Sequence, residues 1–366
     1  MAAASAPQPV AAAVAPKVVD PKSFVLRMLP RLAIALAVIV IVFWGILPRF
    51  ADMAQVWRII WDMSWAEIGW LIALAAAALC SHGLGIMATT PGRISYFNAL
   101  TENQTGSAIC NLVPAGGAVA VVVNYEQYKS WNLTTEDYSL MVVVSGIWNN
   151  FIKLGLPVFA VVILAFTGEV EGVLVLAAVV GLVVLVVALL VFAAALRSED
   201  FARKVGQWAG RVVTWLRQVV HHPKEERWGE VAVQTRAQVI DLVQARWWAM
   251  TVTLLLPNIL EYLILLGCVR GVGIDSVGWD DVLVAYSVGK LLTVIPLTPG
   301  GLGILDLGMI GILVNAGAPR DEVVAAVFVW RGLTFLPTIP VGAVLGTRWW
   351  LWNRHRKERL AAAPSA

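Results

Sequence analysis

Five ionisable residues stand in runs apolar enough to lie inside a membrane: Lys153, Glu261, Lys290, Asp306 and Arg331. A charge in hydrocarbon costs at least about 2.5 kcal/mol on insertion scales, so such residues face protein or water and pair where they can. Asp306 belongs to "TVIPLTPGGLGILDLGMIGIL", whose middle also carries two prolines and three glycines. Lys290 precedes the tip of that segment by about 12 Å of helix and Asp306 follows it by about 8 Å, at the rise of an α-helix. The spacing favours a Lys290–Asp306 ion pair over a carboxylate that only complements a helix dipole. Arg331 can hold a phosphate through two hydrogen bonds, or it can snorkel to the outer interface. Lys153, with Asn149 and Asn150 nearby, is placed to face a cavity. Glu261 is a candidate proton carrier or counter-ion to Lys153, or one member of a structural interhelical pair.

The Pro-Gly breaks supply a second kind of chemistry. "NLVPAGGAVAVVV" holds Pro114, Gly116 and Gly117; "PLTPGGLGILDLG" holds Pro299, Gly300, Gly301 and Gly303. Non-helical backbone at membrane depth is tolerated where protein covers it or where it lines a wet cavity. Each break is followed by a helix, whose N-terminus carries partial positive charge and attracts anions. Two such ends meeting near the midplane would cradle an anionic group. The competing reading is a purely structural kink.

The elements that must position these residues are membrane helices. Of 366 residues, 59% are hydrophobic, and the mean hydropathy is +0.76. Soluble domains carry fewer apolar and more charged residues. The strongest spans are Arg31–Phe50, Ile68–Thr89, Leu140–Phe166, Gly172–Leu196, Trp247–Val269 and Val323–Thr347. Ser107–Asn124 and Val282–Ala316 are the interrupted regions. The 17 tryptophans cluster near span ends, as an interfacial belt requires. The first 25 residues read as a disordered Ala/Pro-rich tail rather than a signal peptide. Residues 26–352 form the transmembrane domain, and 353–366 a basic tail. The amphipathic stretch Ala202–Val220 is expected to lie on the cytoplasmic leaflet as a connector. Cys80, Cys110 and Cys268 are scattered in apolar runs, which points away from a disulfide framework or a metal site.

Lys and Arg in the loops set the orientation. Basic residues before the first span, in the Arg197–Arg246 loop and in "RHRKER" place those segments and both termini in the cytoplasm. The acidic Thr167–Glu171 loop lies outside. Ser107–Asn124 then begins and ends inside and reads as a re-entrant hairpin. Val282–Ala316 begins and ends outside, as a hairpin or two short spans. Aligning Gly116-Gly117 on Gly300-Gly301 brings Trp148 onto Trp330, and Pro157 onto Pro340 after one gap. The expectation is an all-α polytopic protein with an inverted repeat (about 67–166 and 247–347) and two broken or re-entrant hairpins, joined by a linker at about 197–246. Inverted repeats with broken helices are a transporter signature.

"PGGLGILD" followed by "VWRGLTFLPTIPVGAVLG" resembles the C-terminal signature of the lysylphosphatidylglycerol synthase transmembrane-region family. These are flippase-like bacterial membrane proteins whose type member is the flippase half of the MprF enzymes. Pro299, Gly300, Gly301, Leu302, Gly303, Asp306 and Arg331 match the pattern, and "VPAGG" resembles the earlier motif. Three departures stand out: Leu305 where the family often has Arg, Asp306 where it often has Glu, and no basic residue after the first tip. The chain has no room for the soluble synthase domain, so the resemblance implies transport without synthesis. No Walker-type phosphate loop occurs, which argues against ATP hydrolysis, and no catalytic constellation or cofactor motif stands out.

The expected function is a lipid translocase in the cell (inner) membrane, moving a lipid with an anionic or phosphate-bearing headgroup. It is not an enzyme and uses no cofactor. The alternatives are a secondary transporter of a small anionic solute and a non-transporting accessory to envelope biosynthesis. Expected partners are anionic membrane lipids, with a homo-oligomer and envelope-biosynthesis enzymes as further possibilities and no nucleic acid.

Overall fold

The computed structural model describes residues 53–362 apart from 91, 113–115, 168–171, 202, 205–227, 295–300 and 302. The expected first span Arg31–Phe50, the terminal tails and nearly all of the Ala202–Val220 helix therefore lie outside the described residues. So do Pro114, Pro299 and Gly300.

The described chain is helical throughout. Its elements are α1 (Met53–Asp62), α2 (Trp65–Thr89), α3 (Tyr96–Leu112), α4 (Gly116–Ser130), α5 (Thr135–Thr167), α6 (Gly172–Arg197), α7 (Trp228–Gly271), α8 (Trp279–Leu292), α9 (Ile304–Asn315), α10 (Arg320–Thr334) and α11 (Thr338–Ala362). Four stretches are long and apolar enough to cross a membrane: Trp65–Thr89, Thr135–Leu164, Arg236–Gly271 and Arg320–Arg356. Unexpected from the sequence is α1, a short amphipathic helix that buries Val56 and exposes Trp57 and Trp61. It ends where Ser64 caps α2, the Glu67 amide donating to Ser64 Oγ and the Ser64 amide to Glu67 Oε2.

The centre of the molecule is the α2–α7 contact. A Cβ on Gly85 of α2 would come within 2.5 Å of Leu254 on α7, and one on Gly267 of α7 within 2.7 Å of Leu71 on α2. Each helix thus seats a leucine of the other over a glycine, and their backbones approach closely. Trp330, Tyr286, Leu265 and Met309 complete the core around this contact. Outside it, α6 packs on α5 and turns Leu182, Val183, Val187 and Leu190 outward. That is the surface a helix presents to lipid.

Both interrupted segments are helix–break–helix. The arms of the first, α3 and α4, are so close below their tip that a Cβ on Gly116 would lie 2.3 Å from the Ile109 carbonyl oxygen. The second, α8 and α9, closes through Gly301 and Gly303, whose φ values of 68° and 85° suit glycine. The arm α3 packs along α11, and the arm α8 packs along α5. Each hairpin's first arm therefore lies on the final helix of the other half.

Three boundaries differ from the sequence reading. The helix expected over Trp247–Val269 begins at Trp228, inside the stretch read as a linker. The first hairpin runs from Tyr96 to Ser130, longer than Ser107–Asn124. The polar "TENQTG" before Ser107 looks like a loop, yet it is helical, and Thr101, Glu102, Gln104 and Thr105 are buried. The expected single span Val323–Thr347 is broken at Phe335–Pro337. Both the Phe335 and Leu336 amides turn back to the Arg331 carbonyl, and Pro337 has no N–H to continue the ladder. Pro157, by contrast, sits within an unbroken α5.

Candidate functional site

Helices of both halves enclose a small polar cavity. Its lining includes Ala78 and His82 of α2, Asn103, Gln104 and Ser107 of α3, Glu261 of α7, Thr334 of α10 and Thr338 of α11. The cavity measures about 30 Å³, room for no more than a few waters. Asn111 Nδ2 donates to Thr338 Oγ1 at 3.0 Å and ties the first hairpin to the final helix. His82 donates from Nδ1 to the Ala78 carbonyl at 2.8 Å, which leaves Nε2 for the cavity.

On its wall Glu261 forms an ion pair with Lys290 of α8. Tyr286 adds a hydroxyl donor to Glu261 at 3.3 Å, and its ring lies under the Lys290 ammonium at 5.5 Å. Trp330 donates its indole N–H to the Glu261 carbonyl at 2.9 Å, which fixes α10 against α7. The glutamate is thus held by α7, α8 and α10 together. Lys153 on α5 is half-buried and shares the electrostatic field of Lys290 and Glu261. It makes no hydrogen bond or ion pair of its own among the described residues.

A second buried pair lies at the tip of α9. Arg331 Nε donates to Asp306 Oδ1 at 2.5 Å, and Nη2 reaches the Gly301 carbonyl at 3.3 Å. The other Asp306 oxygen accepts from the Gly303 amide at 2.9 Å. Trp330 and Phe335 flank the guanidinium, with ring centroids 5.3 and 5.7 Å away. Both charged residues are buried. The arrangement staples the Gly-rich tip to α10. It also places a carboxylate at the N-terminus of α9, where the helix dipole favours negative charge.

These contacts revise the expected pairing. Lys290 binds Glu261, not Asp306, and Asp306 binds Arg331. Heights along the two arms are similar, but the arms present these side chains to different neighbours, α7 and α10. Arg331 does not snorkel to an interface. Glu261 finds its counter-ion in Lys290 rather than Lys153. Of the tip residues, Gly116 serves the close approach of α3 and α4, while Gly117 has open space around its α-carbon. Gly301 and Gly303 serve the Arg331–Asp306 staple. Asn149 and Asn150 turn their amides back to the Ser145 and Gly146 carbonyls of their own helix, and Asn150 is exposed.

Sequence reasoning missed His82, Gln104, Asn111, Tyr286, Thr334 and Thr338. One signal was present for some of them: Gln104, Ser107 and Asn111 recur at three- or four-residue intervals, a polar face on a helix entering an apolar bundle. The model of a family described as "Lysylphosphatidylglycerol synthase TM region" matches residues 31–342, most of the chain, which therefore belongs to this family. No individual curated protein matches it.

Proposed function

We propose that this multi-pass membrane protein of a lipid-handling family translocates lipids with an anionic or phosphate-bearing headgroup between leaflets, acting as a transporter rather than an enzyme. The observation that carries this reading is the polar cavity between the two halves, with Glu261 on its wall, Lys290 paired to that glutamate and Lys153 within their electrostatic field. Its polar side chains are arrayed in a bundle whose outer faces are apolar. A headgroup needs polar partners across the bilayer, while its tails need only the outer, lipid-facing surface. Lys153 is the cation available to such a headgroup, because Lys290 and Arg331 are engaged with carboxylates. The reciprocal packing of α3 on α11 and α8 on α5 supports an inverted repeat and alternating access about a pseudo-two-fold.

The cavity is far smaller than a lipid headgroup, so passage requires helices to part. The α3–α11 contact is suited to this, since hydrogen bonds such as Asn111–Thr338 can be exchanged for bonds to the headgroup. The test is reconstitution of the purified chain in vesicles carrying labelled anionic and zwitterionic lipids. Movement of an anionic lipid between leaflets, above that in protein-free vesicles, is expected. Vesicles with correctly folded protein and no added movement of any anionic lipid would overturn the reading.

A further inference from the structure

The first hairpin carries a second polar cluster, on the face of α3 turned toward α4. Asn124 Nδ2 donates to Glu102 Oε1 at 2.6 Å. Gln127 Nε2 donates to Thr105 Oγ1 at 3.3 Å. Glu102 and Thr105 are one turn apart on α3, and Asn124 and Gln127 one turn apart on α4, so the four side chains form two adjoining rungs. All four are buried, Gln127 to 0% exposure and Glu102 to 4%. A gap in α3 admits them: a Cβ on Gly106 would lie 2.7 Å from Asn124 Nδ2. Gly346 of α11 packs against Thr105 from the other side.

Each amide nitrogen has a partner within the cluster, and the atoms with none are all acceptors. Glu102 Oε2, Asn124 Oδ1 and Gln127 Oε1 have no hydrogen-bond partner. A buried acceptor without a partner costs about 1–3 kcal/mol, more when it is charged. The species that satisfies them is a hydrogen-bond donor or a cation, and one water, with two hydrogens to give, leaves one of the three without a partner. One carboxylate among neutral oxygens balances a single charge and leaves a divalent ion uncompensated in a low-dielectric setting. A proton on Glu102 could satisfy its own oxygen and one amide, leaving the other amide oxygen orphaned. A hard metal cation accepts several oxygens at once, as carboxylate, carbonyl and hydroxyl ligands allow.

We propose that Glu102, Thr105, Asn124 and Gln127 form a binding site for a monovalent metal cation, of the sodium class, within the α3–α4 hairpin. The site does not depend on the lipid reading. It does adjoin the cavity, since Gln104 and Ser107 of the same α3 line it. A cation bound between the arms stiffens the hairpin and favours one packing of α3 on α11.

The experiment follows thermal unfolding of the full chain in detergent, in chloride salts of sodium, lithium, potassium and N-methylglucamine at equal ionic strength. Binding to the folded state alone raises Tm with the logarithm of ion concentration, by about 2 °C per tenfold for a chain of this size. The expected result is such a rise with one alkali cation and none with N-methylglucamine. Glu102→Gln and Gln127→Leu should abolish it. Equal Tm in all four salts would overturn the proposal, whether or not the variants fold. A cation response of unchanged slope in folded Glu102→Gln would overturn it too. Stabilisation by acid alone, with no choice among cations, would assign the cluster to a proton instead. Because no transport is measured, failure of the lipid reading leaves this result intact.

Discussion

The two hairpins occupy equivalent places in the chain and are held by opposite means. The second is clamped by charge: Arg331 grips Asp306 and the Gly301 carbonyl, and Lys290 grips Glu261. The first carries no basic residue where the second has its staple. Neutral amides and hydroxyls hold its interior, with Glu102 the one carboxylate in its buried cluster, and a guanidinium, that of Arg356, reaches only its far end at Ser130. Charged pairs in low dielectric fix one geometry, because each alternative strands a charge. Amide and hydroxyl contacts can be traded for water, ion or headgroup at little net cost. The contrast casts the second hairpin as the fixed wall and the first as the moving one. The final helices repeat the asymmetry. The helix that receives α8, α5, is continuous, whereas the segment that receives α3 is hinged at Phe335–Pro337.

The clamp is the place to break this comparison hardest. Arg331→Met or Asp306→Asn should each destabilise the protein by about 3–5 kcal/mol, since either leaves one buried charge without its partner. The double variant should lose less than the sum, and thermal unfolding of the four proteins gives the coupling. Strict additivity would mean that the staple is not a clamp. A smaller effect is expected where α11 meets the first hairpin. Gly342→Ala brings a Cβ within 2.2 Å of the Gln104 carbonyl oxygen, and the resulting overpacking costs about 1–3 kcal/mol. If α3 is the moving wall, that variant also slows lipid movement more than its stability loss accounts for. A third measurement sharpens the pairing. A double-mutant cycle on Glu261 and Lys290 should show coupling of about 0.5–3 kcal/mol. The same cycle on Lys290 and Asp306 should be additive within about 0.5 kcal/mol, as for sites with no shared partner.

How much of this was legible in the sequence follows from what each signal measures. Hydropathy reports length in oil, so α2, α5 and α6 stood near their expected places, while for α7 it found the apolar C-terminal half and not the polar start at Trp228. Pro-Gly breaks report lost helical hydrogen bonds, so both hairpins were visible. Hydropathy misread Thr101–Ser107, because a polar run is the same string of letters whether water or a protein cavity solvates it. It also joined α10 to α11, because Pro337 is surrounded by apolar residues. The charged residues were found, since any charge in such a run stands out. Their partners were not, because pairing depends on azimuth and on third helices. Lys290 and Asp306 lie at similar heights on adjacent arms, yet α7 and α10 claim them separately.

Lys153 gives the smallest effect on stability and the sharpest test of which wall moves. It is half-buried on α5, beside Glu261 and Lys290, with no ion pair of its own among the described residues. An unpaired cation in such a place costs desolvation without a compensating bond. Lys153→Gln should therefore leave stability unchanged within about 0.5 kcal/mol, or raise it slightly. This is the reverse of the loss expected at Arg331. Its effect on lipid movement should be large, because a charge-assisted hydrogen bond to a headgroup is worth about 1.5–3 kcal/mol. That corresponds to a rate lower by about 10–100-fold if the bond forms in the transition state alone. Flipping of an anionic lipid substrate by folded Lys153→Gln at the unmodified rate would remove Lys153 from the path and leave it a structural charge. A large stability loss would instead show that Lys153 belongs to the clamp, and the division between a fixed and a moving hairpin would fail with it.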